Sequence, residues 1–269
     1  MVEGGIQMTT VHDILQTVEQ FAPPYMKESW DNVGLLCGDP NQAVKKVLVA
    51  LDPFEHVCRE AKNLGADLIL THHPLIFQAP KSITTQTSVG RSILYLCRHG
   101  ISAINAHTNL DCTPGGVNDV LAQCLELQDI TVLQPNGVDE DGNPWGLLRT
   151  GSLDADLSTF LAHVKSKLGT PVLRYVDGGR PVSKVAVGGG SCAGALVDAF
   201  HAGCDTFVTA DVKYNQFWDA QDLGMNLIDA GHFYTENPVV AVLANKIAET
   251  FPNVEVIISK AHTDCMKFY

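Results

Sequence analysis

The eight cysteines form no CxxC pair, so no disulfide framework is expected and the thiols read as reduced, small apolar side chains. Lys and Arg number 18 against 30 Asp and Glu, with no basic block anywhere in the chain. Nucleic-acid binders draw most of their affinity from neutralising phosphates, so no nucleic-acid partner is expected at a net charge of −12. No apolar run approaches the roughly 20 residues that a membrane helix needs. The opening MVEGGIQMTT has neither a basic head nor an apolar core, so neither a membrane partner nor a signal peptide is expected. The cytoplasm is the simplest location. No GxSxG and no obvious nucleophile dyad are present, which leaves covalent catalysis with little support. Internal repeats and low-complexity tracts are missing too.

What is present is enough for a large core. The chain has 269 residues, of which 45% are hydrophobic, and a mean hydropathy of +0.06, as in an ordinary globular protein. It is organised around THHPLIF, Thr71 to Phe77. The apolar run Leu68-Ile69-Leu70 reads as a buried strand that delivers His72 and His73 and stops at Pro74. Neighbours on an extended segment point to opposite sides, so the two histidines suit two different metal ions better than one. Two later strands repeat the design. Ala103–Ala106 leads into His107 and Asp111, and Asn226–Gly231 leads into His232 and Glu236. In both, a carboxylate follows the histidine by four residues.

The remaining elements alternate. Thr10 and Asp13 form a capping box before a helix that ends at Pro23-Pro24. Val47–Leu51 is a strand, and Asp52-Pro53 caps a helix to about Leu64, followed by the THHP strand; this βαβ unit implies parallel strands. Pro80–Val89 is a polar loop over the site. A helix ends at His99-Gly100, strand Ile101–Asn105 follows, and another helix runs from about Thr113 to Leu125. PNGVDEDGNP, Pro135 to Pro144, is acidic, turn-rich and the best lobe boundary. Beyond it come helix Leu157–Leu168, strands at Val172–Val176, Val185–Val187 and Thr206–Thr209, helix Pro238–Glu249 and strand Val254–Ile258.

The expected fold class is therefore α/β, with mainly parallel sheets in two interlinked lobes. Residues 1–134 form the first lobe and 135–235 the second; 236–269 supply a helix and strand returning to the first. The metal site is expected at strand C-terminal ends between the lobes.

Imidazole and carboxylate donors suit Zn, Fe, Mn, Ni or Co rather than Ca or Mg alone. Five or six candidate ligands exceed the needs of one four-coordinate structural zinc. Two divalent ions sharing a bridging carboxylate, with Glu236 in that place, use them all. Three other stretches stay open. SWDNVGLLCGDP, Ser29 to Pro40, reads as a well-packed turn. VGGGSCAG, Val187 to Gly194, is either a phosphate cradle or a tight strand-to-helix turn, and it matches neither GxGxxG nor a P-loop. In TADVKY, Asp211, Lys213 and Tyr214 either orient a ligand or water, or Asp211 simply caps a helix. Cys112 stands beside Asp111 and so near the proposed ions.

Taken in order, WDNVGL, THHPLIF, HTNLD, the GGGS turn, ADVKY and GHFYTE resemble the Nif-three-like dinuclear metal-centre proteins, often described as GTP cyclohydrolase I type 2 homologues. The resemblance runs from about Thr10 to the C-terminus, in the short form without a mid-chain insertion. It implies two linked α/β lobes, a ring-shaped homohexamer and a dimetal centre held by His72, His73, Asp111, His232 and Glu236, with His107 handling protons or orienting water. Ala210 stands where the family usually has glycine, and Asn215 where it often has histidine. The function it implies is metal-dependent hydrolysis of a small molecule by a metal-bound hydroxide. The substrate is expected to be a nucleotide, GTP attacked at C8 of the purine. A phosphoesterase or amidohydrolase is the alternative enzyme. A non-enzymatic metal-binding regulatory or assembly scaffold is the alternative outside catalysis.

Overall fold

A computed structural model describes residues 8–269. In chain order the elements are α1 (Val11–Phe21), β1 (Gly34–Cys37), β2 (Lys46–Ala50), α2 (Glu55–Leu64), β3 (Leu68–Thr71), α3 (Ser88–His99) and β4 (Ser102–Asn105). Then come α4 (Thr108–Cys112), α5 (Val117–Cys124), β5 (Gln128–Val132), β6 (Gly137–Val138), β7 (Pro144–Trp145), β8 (Arg149–Ala155) and α6 (Leu157–Leu168). The rest are β9 (Arg174–Val176), β10 (Val182–Val187), α7 (Leu196–His201), β11 (Thr206–Thr209), α8 (Tyr214–Leu223), β12 (Asn226–Asp229), α9 (His232–Glu236), α10 (Val239–Thr250) and β13 (Glu255–Ile258). The protein is thus of the mixed α/β class. Two compact units divide the chain, one extending to Leu110 and including Val240–Thr263, the other Asp111–Val239 with Asp264–Tyr269.

The first unit is built on a sheet of order β1-β4-β3-β2-β13, parallel throughout except for edge strand β1. Strand β3 is buried along its whole length, as a continuous apolar run in a covered parallel sheet should be. Ile69, Leu48 and Ala103 pack against Val57, Ala61 and Leu96 from α2 and α3. Both helices end on a glycine in the left-handed region, Gly65 and Gly100, where a side chain would be strained. Helix α1 starts as its sequence requires: Thr10 Oγ1 accepts from Asp13 N at 3.2 Å, and Asp13 Oδ2 accepts from Thr10 N at 2.8 Å.

The second unit holds a sheet of order β5-β8-β10-β11-β12-β9, whose central β10, β11 and β12 are parallel and whose flanks are antiparallel. Alternate residues feed opposite faces. Val185, Val187, Val208 and Ile228 pack with Phe160 and Val164 of α6. Ala186, Phe207 and Leu227 pack with Leu196, Ala199 and Ala220 of α7 and α8. The acidic segment after Pro135 folds into the small β6–β7 hairpin.

One local expectation needs correction. Asp52 does not cap α2, whose first turn follows Phe54 with no side-chain cap; its carboxylate is engaged by two histidines instead. HTNLD, on which no element was expected, closes a short helix over Thr108–Cys112.

Candidate metal centre

Parallel register sets the frame in the first unit. Ala50, Thr71 and Asn105 are partners across β2, β3 and β4. The residues two places beyond them, Asp52, His73 and His107, therefore leave the sheet side by side at its carboxyl edge. Strand β1 runs the other way, with Gly34 opposite Asn105, so the chain entering it crosses the same edge and carries Trp30, Asp31 and Asn32 there.

His72, His73 and His107 each offer a ring nitrogen, and these nitrogens lie within 4.8 Å of one another. The ring centroids of His72 and His73 are 4.8 Å apart, and His107 lies 5.2 Å from the first and 5.5 Å from the second. The two adjacent rings lie near each other although their Nδ1 atoms are anchored on different groups, Ala106 and Asp52. Strand β3 ends at Thr71, so the pleat that would alternate the two histidines has already stopped.

A shared hydrogen-bond pattern orients these rings. His72 Nδ1 lies 2.9 Å from the Ala106 carbonyl, His73 Nδ1 2.7 Å from Asp52 Oδ1, and His107 Nδ1 2.8 Å from Asp31 Oδ1. In the second unit His232 Nδ1 lies 2.7 Å from Asp211 Oδ2. Each partner is an oxygen that can only accept, so each ring carries a proton on Nδ1 and turns Nε2 the other way. Proteins fix the tautomer of metal-holding histidine by this device.

The supporting carboxylates are held ionised. Burial alone would raise Asp52, but hydrogen bonds from His262 and His73 overcome it and keep the acid well below its ordinary range. Asp31 behaves alike: burial raises it, and the bonds from His107 and Thr108 more than reverse that. His262 reaches Asp52 Oδ2 at 2.8 Å, giving one carboxylate between two imidazoles.

The second unit repeats the frame. Val187, Val208 and Ile228 are register partners, so Gly190, Asp211 and Gly231 emerge level with one another. Asp229 accepts from the Val212 and Gly231 amides, each at 3.0 Å, which ties the Asp211 loop to the start of α9. Asp211 sits at φ +52 without being glycine, a strained conformation of the kind that collects at functional sites. Its carboxylate is the His232 partner, and Lys213, not Asp211, precedes α8. His232 and Glu236 are one turn apart on α9, with Nε2 and Oε2 at 2.9 Å. Burial opposes a charge on His232, yet its bonds to Asp211 and Glu236 prevail and push its pKa up to about 10. The protonated ring and the carboxylate thus form an ion pair, and Glu236 is only 4% exposed. Asp111, on α4, is buried as well.

The glycines of VGGGSCAG serve close packing. A Cβ on Gly190 would stand 2.0 Å from Glu236 Oε1 and 3.1 Å from His232 Nε2. The Gly189 amide donates to Asn118 Oδ1 at 2.7 Å and the Gly190 amide to Thr235 Oγ1 at 3.0 Å. These donors are directed inward, so the stretch is a tight turn and not a phosphate cradle. Burial drives the Cys192 thiol well above its ordinary range, with Asp111 and Glu236 adding to the shift, which removes it as a nucleophile. Cys112 is buried within α4.

Asp31, Asp52, Asp229 and His262 were missed by the sequence reading. For Asp52 and Asp229 a signal existed, since each stands at the end of a parallel strand, where ligand-supporting groups gather. Asp31 lay in the WDNVGL motif of the resemblance but was read as part of a packed turn, and His262 arrives from a distant part of the chain and had no signal.

Donor chemistry fits a divalent metal: imidazoles presenting Nε2 in one unit, and a buried carboxylate paired with an imidazole in the other. The fold and these groups define an α/β protein with candidate His, Asp and Glu metal-binding clusters. The chain belongs to the Duf34/NIF3 (NGG1p interacting factor 3) family, whose model matches residues 9–265. It is 38% identical over 262 residues to a Clostridium perfringens protein named GTP cyclohydrolase 1 type 2 homolog, covering 96% of this chain and 99% of that one. The structure of a Bacillus cereus protein related to NIF3 superposes with a TM-score of 0.90 at 27% identity, over 97% of this chain and 99% of the other. A Staphylococcus aureus protein gives 0.88 at 30% identity, over 97% and 99%.

Proposed function

We propose that this protein is a dinuclear metal-dependent hydrolase of a small-molecule substrate, with a nucleotide as the substrate class. His72, His73, Asp111, His232 and Glu236 would hold two divalent ions, of Zn, Fe, Mn, Ni or Co character, and His107 would handle protons. The observation that carries this reading is the set of Nδ1–H donors anchored on oxygens in His72, His73, His107 and His232. Such ions supply a Lewis acid and lower the pKa of a coordinated water.

The chain's own groups do the rest. Asp31 anchors the His107 Nδ1 proton, which leaves Nε2 basic and able to take a proton from an attacking water. Asp52 and Asp211 hold the Nδ1 protons of His73 and His232. Glu236 supplies the negative charge that a proton on His232 now balances. The nucleotide class rests on the name carried by relatives such as the C. perfringens protein. In a cyclohydrolase reaction one water adds at C8 of the guanine and opens the C8–N9 bond to a formamide, and a second cleaves the C8–N7 bond so that C8 leaves as formate and N7 as an amine. A homohexamer is part of the proposal, as the family resemblance implies, and so is a cytoplasmic location, in line with its free cysteines. Among the described residues no helix is long and apolar enough to cross a membrane.

The test is turnover by metal-reconstituted protein. Formate released from GTP supports the cyclohydrolase form. Phosphate released from simple esters points to a phosphoesterase, and inactivity of fully metallated protein against a broad panel points to a scaffold.

A further inference from the structure

Beside the histidine cluster, two large aromatic side chains lie open to solvent. Trp30 is 59% exposed and Phe77 49% exposed. Their ring centroids are 5.7 Å apart in an edge-to-face pair, and His107 lies 6.2 Å from Trp30 and 6.0 Å from Phe77. One side of His107 therefore meets the two aromatic rings, while His72 and His73 pack on it as well.

Scattered exposed aromatics need no explanation, but these two are held in place. Asn32 Nδ2 donates to the Ile76 carbonyl at 2.6 Å, tying the residues beside Trp30 to those beside Phe77. Asn105 Nδ2 donates to the Asn32 carbonyl at 3.1 Å, and Asp31 accepts from the Thr108 amide at 3.0 Å. The backbone under both rings is thus fixed to the carboxyl edge of the sheet while the rings stay uncovered. Rigid support with an exposed π surface is the design of a stacking platform.

Resting on the nucleotide-hydrolase reading above, we infer that Trp30 and Phe77 form the binding platform for the planar heteroaromatic ring of the substrate, a purine base. They would set that ring beside His107, the group placed to move protons. Charge complementarity gives no handle on a flat, neutral base, whereas stacking does. The two aromatics are the residues in this part of the structure that offer it.

The experiment is titration calorimetry on the metal-loaded full chain with GTP, guanosine and inorganic triphosphate, each paired with light scattering. Trp30→Ala and Phe77→Ala should weaken GTP and guanosine on the order of 5- to 100-fold, with Trp30→Phe recovering most of the loss and inorganic triphosphate unaffected by any of them. Both rings are exposed, so the variants should melt with the wild type. Unchanged GTP affinity in both alanine variants overturns the platform, as does wild-type protein that binds no purine at millimolar concentration. A change in particle mass in either variant also overturns it, because the rings would then be a subunit contact. Ring-dependent guanosine binding without formate release supports the platform while the cyclohydrolase reading falls. Formate release with an unchanged KM in Trp30→Ala leaves that reading standing and removes the platform.

Discussion

Asp31 Oδ1 stands 2.8 Å from His107 Nδ1 although 76 residues separate the two in sequence. Its other oxygen accepts from the backbone amide and the hydroxyl of Thr108, so one buried carboxylate fixes both the ring and the helix turn that follows it. Asp31→Asn keeps the shape but loses the charge and one acceptor. The variant should lose about 1–3 kcal/mol of stability, and His107 should no longer reside in a single tautomer. Nitrogen NMR of the imidazole reads the second effect; a ring still protonated only at Nδ1 would refute it.

Gly190 faces Glu236 where Gly203 faces nothing. Both have positive φ, +62 and +80, but a Cβ at Gly203 meets no atom within 4 Å. Gly203→Ala should cost only the backbone strain, about 1–2 kcal/mol. Gly190→Ala adds a clash with Glu236 and His232, so it should displace the carboxylate and reduce bound metal as well as stability. Equal melting shifts and equal metal content in the two variants would show that the close approach is unimportant.

Metal content separates the proposed roles of the acids and His107. Saturating reconstitution should give about two divalent ions per chain, as two-metal chemistry requires. Glu236→Gln should lose metal, because the amide keeps the volume but not the charge that His232 now shares. His107→Ala should keep most of the metal and slow turnover about 10²–10⁴-fold. The reverse pattern in elemental analysis would exchange the two assignments.

Asp52→Asn should lower metal affinity about 10–100-fold, since the carboxylate orients His73 through Nδ1. Competition with a chromophoric chelator measures this directly. An unchanged affinity would mean that the His73 tautomer is set without Asp52.

The α1 capping box predicts a pH signature. Side-chain and backbone hydrogen bonds from Thr10 lower the pKa of Asp13. A depressed acid contributes stability above its unfolded pKa of about 3.9 and loses it as pH falls through the lower folded value. Asp13→Asn should therefore destabilise by about 1 kcal/mol at pH 7, and the gap from the wild type should close below about pH 4. A gap that persists at pH 3 would place the effect outside this carboxylate.

Much of the frame was legible in the sequence because it depends on local rules. The apolar run before His72 is strand β3, the capping box at Thr10 starts α1, and Gly65 and Gly100 end α2 and α3 where expected. Alternating strands and helices gave the α/β class, and the HH, HxxxD and HxxxE spacings marked the six residues at the strand exits. In Glu236 and His232 the four-residue spacing put ring and carboxylate on one helix face, as period alone dictates.

Tertiary structure decided which atom of each group does what. A histidine's spacing says nothing about its tautomer; that is set by the oxygen opposite Nδ1, and Asp31, Asp211 and the Ala106 carbonyl are brought there by sheet register. Asp52 looked like a helix cap because a local rule fitted it, yet parallel pairing with β3 put His73 beside it, and β13 brought His262 to its other oxygen. His72 and His73 lie just past the end of β3 at Thr71, so their directions are set by the Ala106 carbonyl and Asp52 rather than by the pleat. Local sequence fixed the elements through short-range sterics and periodicity, while hydrogen-bond partners far apart in the chain were chosen by how strands pair, which no local pattern encodes.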